Sequence, residues 1–185
     1  MSLSMVVCVS DNMCIGVNNG LLAHVKPDMK RFVDLTTGHT VMMGKNTYLS
    51  LPNLRPLKNR ENIIVSRSIY YPINGFQVVS NPWSYIESVK SDESKKVFII
   101  GGAKLYEEFM SVVDTIYMTW LHANQLDLHV ASAGGVGGFN VRDKYTFFPD
   151  NIYDYEWDIE KEQEGYYLLK NYGLLKYDFL TLHKK

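Results

Sequence analysis

Short apolar runs alternate with helix-like stretches along this sequence, and the alternation constrains the fold more than any other feature. The runs are rich in β-branched residues on consecutive positions and lie at 3–9, 40–43, 62–66, 76–80, 96–100 and 115–121. Apolar residues on consecutive positions indicate strands that are covered on both faces. Helix-like stretches begin near Pro27, Asn81 and Gly102, where Pro and N-cap residues favour a helix start. The alternation predicts an α/β protein with helices on both sides of a central sheet.

The C-terminal part of the chain has a different pattern. Residues 153–162 and 174–184 alternate apolar and polar side chains, which predicts half-exposed antiparallel strands. Residues 124–146 contain the stretch ASAGGVGGF, with four glycines in five residues. That density of glycine favours a mobile loop over a regular element.

Composition and charge narrow the classes of function. The chain has 185 residues, of which 46% are hydrophobic and 21% are charged, and this predicts one globular domain rather than a disordered chain. A net charge of −1 gives no overall field suited to nucleic acid or to an anionic membrane. Basic residues are nevertheless concentrated at 45–67, while 154–164 is acidic. The basic segment favours a small anionic ligand, although solvated surface charge explains it as well.

The cysteines and the N-terminus indicate a reducing compartment. Cys8 and Cys14 have neither metal-type spacing nor a disulfide framework, and no metal site is predicted. The N-terminal apolar run has no basic residues before it and is too short for a secretory signal. No apolar run approaches the length of a membrane span. We therefore expect a cytoplasmic protein without a membrane segment.

Two junctions between a predicted strand and a predicted helix are marked by glycine. They are VFIIGGAKLY at 97–106 and MGKNTYLS at 43–50. Backbone N–H groups at a helix start bind phosphate, so the two junctions together would hold the halves of a dinucleotide, with Lys45 and Arg67 near a further phosphate. Asn46 and Thr47 are expected to cap the second helix. Taken alone, each junction is explained equally well as an ordinary turn, and neither has the G-x-G-x-x-G spacing.

Asp28 and Arg60 are candidate ligand-binding residues. On a helical wheel Asp28 shares a face with Phe32 and Leu35. The other charged residues of that stretch point elsewhere: Lys30, Arg31 and Asp34. A carboxylate on an apolar face is costly to bury and invites a functional explanation, but the helix dipole also stabilises Asp in a first turn. The fork of Arg60 suits a carboxylate, although a solvent-exposed arginine is the commoner case.

Together these stretches resemble dihydrofolate reductase. The resemblance runs in the family's order along nearly the whole chain and is carried by DNMCIGVNNGL, PDMKRF, VMMGKNTYLSLPNLRPLKNRENIIVSR, VFIIGGAKLYEEF, IYMTWL, FFPD and YDFLTL. It implies a single domain over residues 1–185, with a Gly-rich insertion at about 124–146. The implied fold has a central, mostly parallel eight-stranded sheet, an antiparallel C-terminal strand and about four flanking helices. The implied activity is reduction of 7,8-dihydrofolate with NADPH, by a monomer.

The resemblance also implies which residues bind the substrate. Asp28 would receive the pterin 2-amino group and N3–H, Thr119 would support Asp28, and Arg60 would bind the α-carboxylate of the glutamate tail. Apolar and aromatic residues would complete the substrate site: Val6, Val7, Phe32, Leu51, Leu57, Ile100 and Tyr106. The resemblance implies three catalytic residues, which are Asp28, Thr119 and Leu21. Leu21 lies within a loop at 16–24 that would act as a lid.

An NADPH site follows from the same resemblance. Gly101 and Gly102 match a pair that this family joins by a cis peptide, at a kink against the cofactor, and Lys45 and Arg67 would lie near the 2′-phosphate. The positions implied at the cofactor are Cys8, Ile15, Gly16, Gly44, Lys45, Asn46, Thr47, Ser66, Arg67, Ile100, Gly101, Gly102, Ala103, Lys104 and Leu105. Hydride would pass from nicotinamide C4 to pterin C6, while N5 gains a proton from solvent.

Departures from the family pattern keep other functions open. Residues 21–23 read Leu-Leu-Ala where the family has Leu-Pro-Trp, and Lys45 replaces a customary arginine. A related reductase of riboflavin synthesis shares the fold, but Asp28 together with Arg60 favours a folate. The second alternative is a folate- or NADPH-binding protein without turnover, and Ala23 is the residue that favours it.

Overall fold

The computed structural model describes residues 1–124, Leu128 and residues 144–185. Within these ranges the strands are β1 Ser2–Ser10, β2 Cys14–Val17, β3 Gly20–Leu21, β4 Thr40–Gly44, β5 Glu61–Val65, β6 Gln77–Val79, β7 Lys96–Ile99, β8 Thr115–Leu121, β9 Tyr145–Phe147, β10 Trp157–Leu169 and β11 Gly173–Lys184. The helices with described bounds are α1 Lys26–Thr36, α2 Lys45–Ser50, α3 Pro82–Val89 and α4 Ala103–Phe109. Short 3-10 turns lie at Pro52–Leu54 and Asp150–Asp154.

Eight of the described strands form the central sheet, in the order β10-β11-β8-β1-β7-β4-β5-β6. Parallel pairing joins β1 to β7 and β8, β4 to β5 and β7, and β5 to β6. Strand β11 runs antiparallel to both of its neighbours, β8 and β10. The predicted fold, a mostly parallel eight-stranded sheet with an antiparallel C-terminal strand and about four flanking helices, is confirmed.

A second, antiparallel sheet has the order β3-β2-β9 among the described residues. The stretch at 16–24, treated above as a loop, therefore contributes to the β2–β3 hairpin. Residues 145 and 146, which close the predicted Gly-rich insertion, belong to β9. Apart from Leu128, residues 125–143 lie outside the described residues, so the single domain with an insertion stays a prediction.

Apolar side chains alternate between the two faces of β1. Met5, Val7 and Val9 lie in the main core, while Val6 packs against a separate cluster that contains Phe98. Both faces of this strand are therefore covered, which explains its consecutive apolar residues. No helix within the described ranges is long and apolar enough to cross a membrane.

The start of α3 is as predicted. Asn81 caps the helix, because its Oδ1 accepts a hydrogen bond from the Trp83 amide at 3.0 Å. Pro82 follows in the first turn, where a missing N–H costs nothing.

The start of α2 differs from the prediction. The expectation that Asn46 and Thr47 cap this helix is wrong, because the helix already begins at Lys45. Gly44 occupies the N-cap position in an extended conformation, with no side-chain cap hydrogen bond. Thr47 is therefore the third residue of the helix, and its hydroxyl lies next to the glycine junction that precedes α4.

The C-terminal hairpin begins later than its alternating pattern indicates. Strand β10 starts at Trp157, because Asp150–Asp154 forms a 3-10 turn whose Ile152 carbonyl accepts a hydrogen bond from the Trp157 indole at 2.9 Å. The pairing of β10 with β11 also contains a register shift between Lys161 and Gln163. A bulge of this kind bends the strand and redirects a side chain.

The carboxyl end of β7 lies between the carboxyl-terminal half of β4 and the middle of β1. Met5 of β1 and Met42 of β4 are both in register with Ile99, the last residue of β7. In open α/β sheets, ligands bind outside the carboxyl ends of the strands. Both glycine junctions follow strands of this group, so this edge is where a site is expected.

Candidate active site

The two glycine junctions lie against each other. The Gly44 amide, at the end of β4, donates a 2.7 Å hydrogen bond to the Gly101 carbonyl. A side chain at Gly44 would approach Leu105 of α4 to 3.3 Å. The peptide between Gly101 and Gly102 is cis, as the resemblance implies. The starts of α2 and α4 therefore meet at one place, as expected if both contact a single ligand.

Gly101 has a conformation that requires glycine. Its φ is +113°, which residues with a Cβ rarely adopt. A Cβ at this position would lie 3.3 Å from the Thr47 hydroxyl and 3.4 Å from the Tyr106 hydroxyl. Gly102 has a φ of −84°, and a Cβ there would meet the Thr47 hydroxyl at an ordinary 3.6 Å. The protein therefore excludes a side chain at Gly101 and has room for one at Gly102.

Asp28 lies half-buried in the first turn of α1. The side chain of Thr119 in β8, a residue that is only 2% exposed, is the polar neighbour whose hydrogen-bonding capacity acts on the pKa of this carboxyl group. Burial raises the pKa of Asp28, while the Thr119 hydrogen bond and the positive charge of Arg31 lower it. A partly buried carboxyl group with a perturbed pKa is a candidate functional acid.

Tyr106 connects Asp28 to the glycine junction. Its hydroxyl donates to the Val6 carbonyl at 2.8 Å, and its ring and hydroxyl border Gly101. Burial and, after it, the negative charge of Asp28 raise the pKa of Tyr106. The same two causes raise the pKa of the Cys8 thiol. The ionisation of Asp28 is thus linked electrostatically to the ionisation of Cys8 and of Tyr106.

Four of the predicted substrate residues share one apolar cluster. They are half-buried side chains that pack around Phe98 and its neighbours: Val6, Leu51, Leu57 and Ile100. Partly exposed apolar side chains of this kind line ligand pockets. Val7 instead lies buried in the main core, so its predicted role at the substrate depends on its main chain.

Arg60 is oriented by contacts with α1. Its Nε donates to the Thr36 hydroxyl at 2.7 Å, and Nη1 donates to the Lys58 carbonyl at 2.8 Å. The guanidinium carbon lies 5.6 Å from the centre of the Phe32 ring. Burial lowers the pKa of Arg60, but an arginine stays charged at neutral pH. Because a guanidinium has five N–H donors, Arg60 keeps donors for a carboxylate.

Asn62 is a residue of the site region that sequence reasoning missed. Its Oδ1 accepts from the Leu57 amide, and its Nδ2 donates to the carbonyls of Leu57 and Arg60, all at 3.0 Å. The buried amide thereby fixes the segment that carries both predicted substrate residues. The available sequence signal was the position of Asn62 at the start of an apolar strand. A polar side chain that is buried there needs hydrogen-bond partners.

Lys45 and Arg67 follow two neighbouring parallel strands, β4 and β5, as expected. Lys45 Nζ donates to Ser68 Oγ at 3.0 Å, and the Ser68 amide donates to Ser66 Oγ at 3.2 Å. Ser68 was not predicted, although it is adjacent to Arg67 in the sequence. Two cations and two hydroxyl groups in one region suit a phosphate.

The β2–β3 hairpin places Leu21 at the surface, where it is 50% exposed. Gly16 is required in this hairpin, because a Cβ there would clash with the Gly20 carbonyl oxygen. Ile15 packs against the main core, and Ala23 is buried in a second cluster. The hairpin is thus anchored on both sides of an exposed Leu21.

The remaining predicted cofactor residues lie in the first turns of α2 and α4. They are Asn46, Ala103, Lys104 and Leu105. Asn46 and Lys104 are exposed, whereas Leu105 is buried against Gly44.

The family model for dihydrofolate reductase matches this chain over residues 2–183. The chain belongs to the dihydrofolate reductase family. Dihydrofolate reductase of Bacillus subtilis (strain 168) is 34% identical over 120 residues, 65% of this chain and 69% of that protein. Dihydrofolate reductase of Staphylococcus aureus (strain Mu50 / ATCC 700699) is 30% identical over 185 residues, which cover 100% of this chain and 99% of that one.

A solved dihydrofolate reductase structure shares the fold. It is the enzyme from Enterococcus faecalis complexed with NADP(H) and RAB-propyl, with a TM-score of 0.75 and 22% identity over 100% of this chain and 96% of that chain. The identification of the family and of an NADPH-dependent dihydrofolate reductase, made above from the sequence, is confirmed.

The residues of this dihydrofolate reductase fit a phosphorylated dinucleotide. Gly44, Gly101 and Gly102 carry no side chains where α2 and α4 begin, and the cations and hydroxyls around Ser68 lie at the ends of β4 and β5. Among the residues that the structure describes, no group of three or more His, Cys, Asp or Glu side chains is arranged to hold a metal ion.

Proposed function

We propose that this enzyme transfers hydride from NADPH to 7,8-dihydrofolate in the region between Asp28 and the Gly101–Gly102 pair. One observation carries the proposal: the starts of α2 and α4 meet at the glycine pair, which Tyr106 borders, and the negative charge of Asp28 acts on the same Tyr106. A carboxylate beside a dinucleotide-type junction suits a flat heterocycle stacked against a nicotinamide. Holding the two rings together is the main catalytic task of such a site.

Asp28 is proposed to bind the pterin. The two oxygens of an ionised carboxylate accept two parallel hydrogen bonds, which matches the 2-amino group and N3–H of the substrate. Phe32 and Leu51 would flank the pterin and the benzoyl ring. Arg60, held by Thr36 and Lys58, would bind the α-carboxylate of the glutamate tail.

Asp28 also contributes to the chemistry. NADPH, when bound, supplies the hydride. The ionised Asp28 carboxylate, in a partly buried position, favours positive charge on the pterin and therefore a proton on N5. The proton comes from solvent, and the β2–β3 hairpin with Leu21 is proposed to limit the access of other water.

Residues beside the two junctions are proposed to hold NADPH. Lys45, Ser66, Arg67 and Ser68 would bind the 2′-phosphate through charge-assisted hydrogen bonds. The amides of Ala103 and Lys104 precede the first hydrogen-bonded amide of α4, that of Leu105, and would face the pyrophosphate. Gly101 and Gly102 would allow the backbone to approach the nicotinamide half closely.

The experiment that tests this function measures oxidation of NADPH in the presence of 7,8-dihydrofolate. We expect turnover with dihydrofolate and none with the aminopyrimidine substrate of riboflavin synthesis. Turnover with the aminopyrimidine alone would establish the related reductase instead. Binding of folate and NADPH without any turnover would identify a binding protein.

Arg60→Ala is expected to raise the KM for dihydrofolate by about 10- to 100-fold, because a charge-assisted hydrogen bond contributes about 1.5–3 kcal/mol. The KM for NADPH should change by less than about twofold, since the two ligands use different residues. Steady-state kinetics with each substrate varied in turn gives both constants. Arg55→Ala is the matched control, because Arg55 is an exposed arginine of the same basic segment. An equal rise in both KM values would contradict the proposed role.

Lys45→Ala is expected to raise the KM for NADPH by about tenfold and to leave the KM for NADH nearly unchanged, because NADH lacks the 2′-phosphate. The preference for NADPH should therefore fall by about tenfold. Lys58→Ala, at another exposed lysine of the basic segment, is the control. A similar rise for both cofactors would place Lys45 away from the 2′-phosphate.

We also propose a monomer in the cytoplasm. Both cysteines are free, and burial raises the pKa of each thiol, which suits a protein without disulfides. Light scattering should give the mass of one chain, and a concentration-dependent increase would refute the monomer.

A further inference from the structure

Arg31 is buried beneath the helix that carries Asp28, although the helical wheel places it away from the apolar face. It is 8% exposed. Its Nη1 donates to the Met118 carbonyl at 3.0 Å, and its Nη2 donates to the Leu180 carbonyl at 3.1 Å and to Glu162 Oε1 at 2.9 Å. The expectation that Arg31 points away from the core is therefore wrong.

Aromatic rings complete the surroundings of Arg31. The guanidinium carbon lies 4.7 Å from the centre of the Phe179 ring and 5.8 Å from that of Tyr117. A buried guanidinium is costly unless its donors are paired and its faces are covered. Arg31 meets both conditions, so the local structure is built around this side chain.

The two carbonyls that Arg31 contacts lie on strands that support Asp28. Met118 and Leu180 face each other in the antiparallel pairing of β8 with β11. Thr119, which hydrogen-bonds Asp28, is the residue directly after Met118. Arg31 thus ties α1 to the strand that carries Thr119, one residue from the functional contact.

Glu162 reaches Arg31 because of the bulge in β10. Lys161 pairs with Leu180 and Gln163 pairs with Phe179, so Glu162 is left without a partner in the register. Its Oε1 accepts hydrogen bonds from Arg31 and from the Thr181 hydroxyl. A bulge that redirects one side chain commonly serves a specific contact, and here the contact is the Arg31 ion pair.

Arg31 is the charged group that acts on Asp28. The titratable groups whose interaction with Asp28 is resolved in the described part of the chain are Cys8 of β1, Tyr106 of α4 and Arg31 of α1. Because burial raises the pKa of Cys8 and of Tyr106, both are neutral at physiological pH. Of these three groups, only Arg31 carries a positive charge, and its guanidinium is paired with Glu162 at 2.9 Å.

We propose that Arg31, held by Glu162 at the β10 bulge, is a positioning residue that ties α1 to β8 and thereby holds Asp28 beside the strand of Thr119. The inference rests on the proposed role of Asp28 in binding the pterin. It assigns a role in catalysis to two residues that do not touch the substrate. It also predicts effects of opposite sign for the two partners, because one is a cation and the other an anion.

The test is a direct titration of Asp28 by NMR, with ¹³C-labelled aspartate carboxyl groups in the free enzyme. Arg31→Met should shift the titration midpoint of Asp28 upward, because the nearby positive charge is lost. Arg31→Lys should restore most of that shift. Glu162→Gln should shift the midpoint downward, because the charge of Arg31 is no longer offset while a hydrogen-bond acceptor remains.

Equal shifts of the same sign in Arg31→Met and Glu162→Gln would overturn the proposal, since a purely structural disturbance predicts that pattern. An unchanged midpoint in Arg31→Met would overturn it as well. If Arg31→Met does not fold, the double variant Arg31→Met/Glu162→Gln removes both charges and leaves none unpaired. The double variant should retain the upward shift, and absence of the shift would count against the proposal.

Kinetics supply the second measurement. At pH 7, Arg31→Met should lower kcat/KM for dihydrofolate by about tenfold and leave the KM for NADPH within about twofold. Arg31→Lys should recover most of the loss. The NMR titration does not depend on turnover, so an enzyme inactive with dihydrofolate would refute the proposed function and still leave the Arg31 inference open to its own test.

Discussion

Asp28→Asn is expected to lower the turnover of dihydrofolate at pH 7 by about 10²- to 10⁴-fold. Asparagine preserves the size of the side chain and still accepts a hydrogen bond from Thr119. It removes the negative charge that favours a cationic pterin, and its amide cannot accept both of the pterin donors. The measurement is kcat from NADPH oxidation with saturating cofactor.

NADPH binding is the control for Asp28→Asn. The dissociation constant for NADPH should stay within about twofold, because the proposed cofactor residues do not include Asp28. Turnover should recover in part as the pH falls towards about 5, because protons in solution then replace the effect of the carboxylate. Equal rates of the variant and the wild type at pH 7 would remove Asp28 from the mechanism.

The thermal stability of Asp28→Asn tests whether burial outweighs the interactions that favour the ionised carboxylate of Asp28. Burial raises the pKa of Asp28 in the folded chain above its ordinary value of 3.8, so folding favours the protonated form. The stability that this group contributes is complete below pH 3.8 and is lost as the pH rises through the folded pKa. Asp28→Asn removes this unfavourable contribution and should therefore raise the Tm at pH 7.

A Tm difference that disappears near pH 3 would support this explanation, because the wild-type carboxyl group is then neutral as well. A lower Tm for Asp28→Asn at pH 7 would mean that hydrogen bonding and the Arg31 charge outweigh burial. Together with the activity measurement, the Tm of Asp28→Asn would show whether Asp28 lowers the stability of the fold while it supports turnover.

Consecutive apolar residues are the reason that much of the fold could be predicted. They identify β1, β4, β5 and β7 as buried parallel strands, and glycine then marks where two of these strands meet a helix. Asp28 could be singled out as a candidate because a carboxylate on an apolar helix face needs an explanation, but its role at the pterin comes from the family resemblance and stays a prediction. These signals depend on residues that are close in the sequence, so they can be recognised without knowledge of the tertiary structure.

The features that could not be predicted depend on contacts between distant segments. Arg31 is buried because β8, β11 and the β10 bulge together offer it acceptors and aromatic rings, and a helical wheel contains none of these. The β2–β9 pairing joins segments separated by more than a hundred residues. Asn62 and Ser68 act through hydrogen bonds whose partners are set by the path of the backbone.

Gly101→Ala is expected to abolish most NADPH-dependent turnover and to destabilise the fold. A φ of +113° is strained for alanine, with a cost of about 1–3 kcal/mol, and the Cβ would press on the Thr47 and Tyr106 hydroxyls. The hydrogen bond from the Gly44 amide to the Gly101 carbonyl would be disturbed as well. Thermal unfolding and NADPH titration measure the two effects separately.

Gly102→Ala is the matched control, because the adjacent glycine has an ordinary φ of −84° and room for a Cβ. Its Tm should stay close to that of the wild type, whereas Gly101→Ala should lower the Tm by several degrees. If NADPH approaches the backbone at this junction, Gly102→Ala should nevertheless weaken NADPH binding by about tenfold or more. Gly102→Ala would then lose NADPH affinity without losing stability. That result would show that position 102 needs glycine for the ligand, whereas position 101 needs glycine for the backbone conformation. Full NADPH affinity in Gly102→Ala would place the cofactor away from this junction.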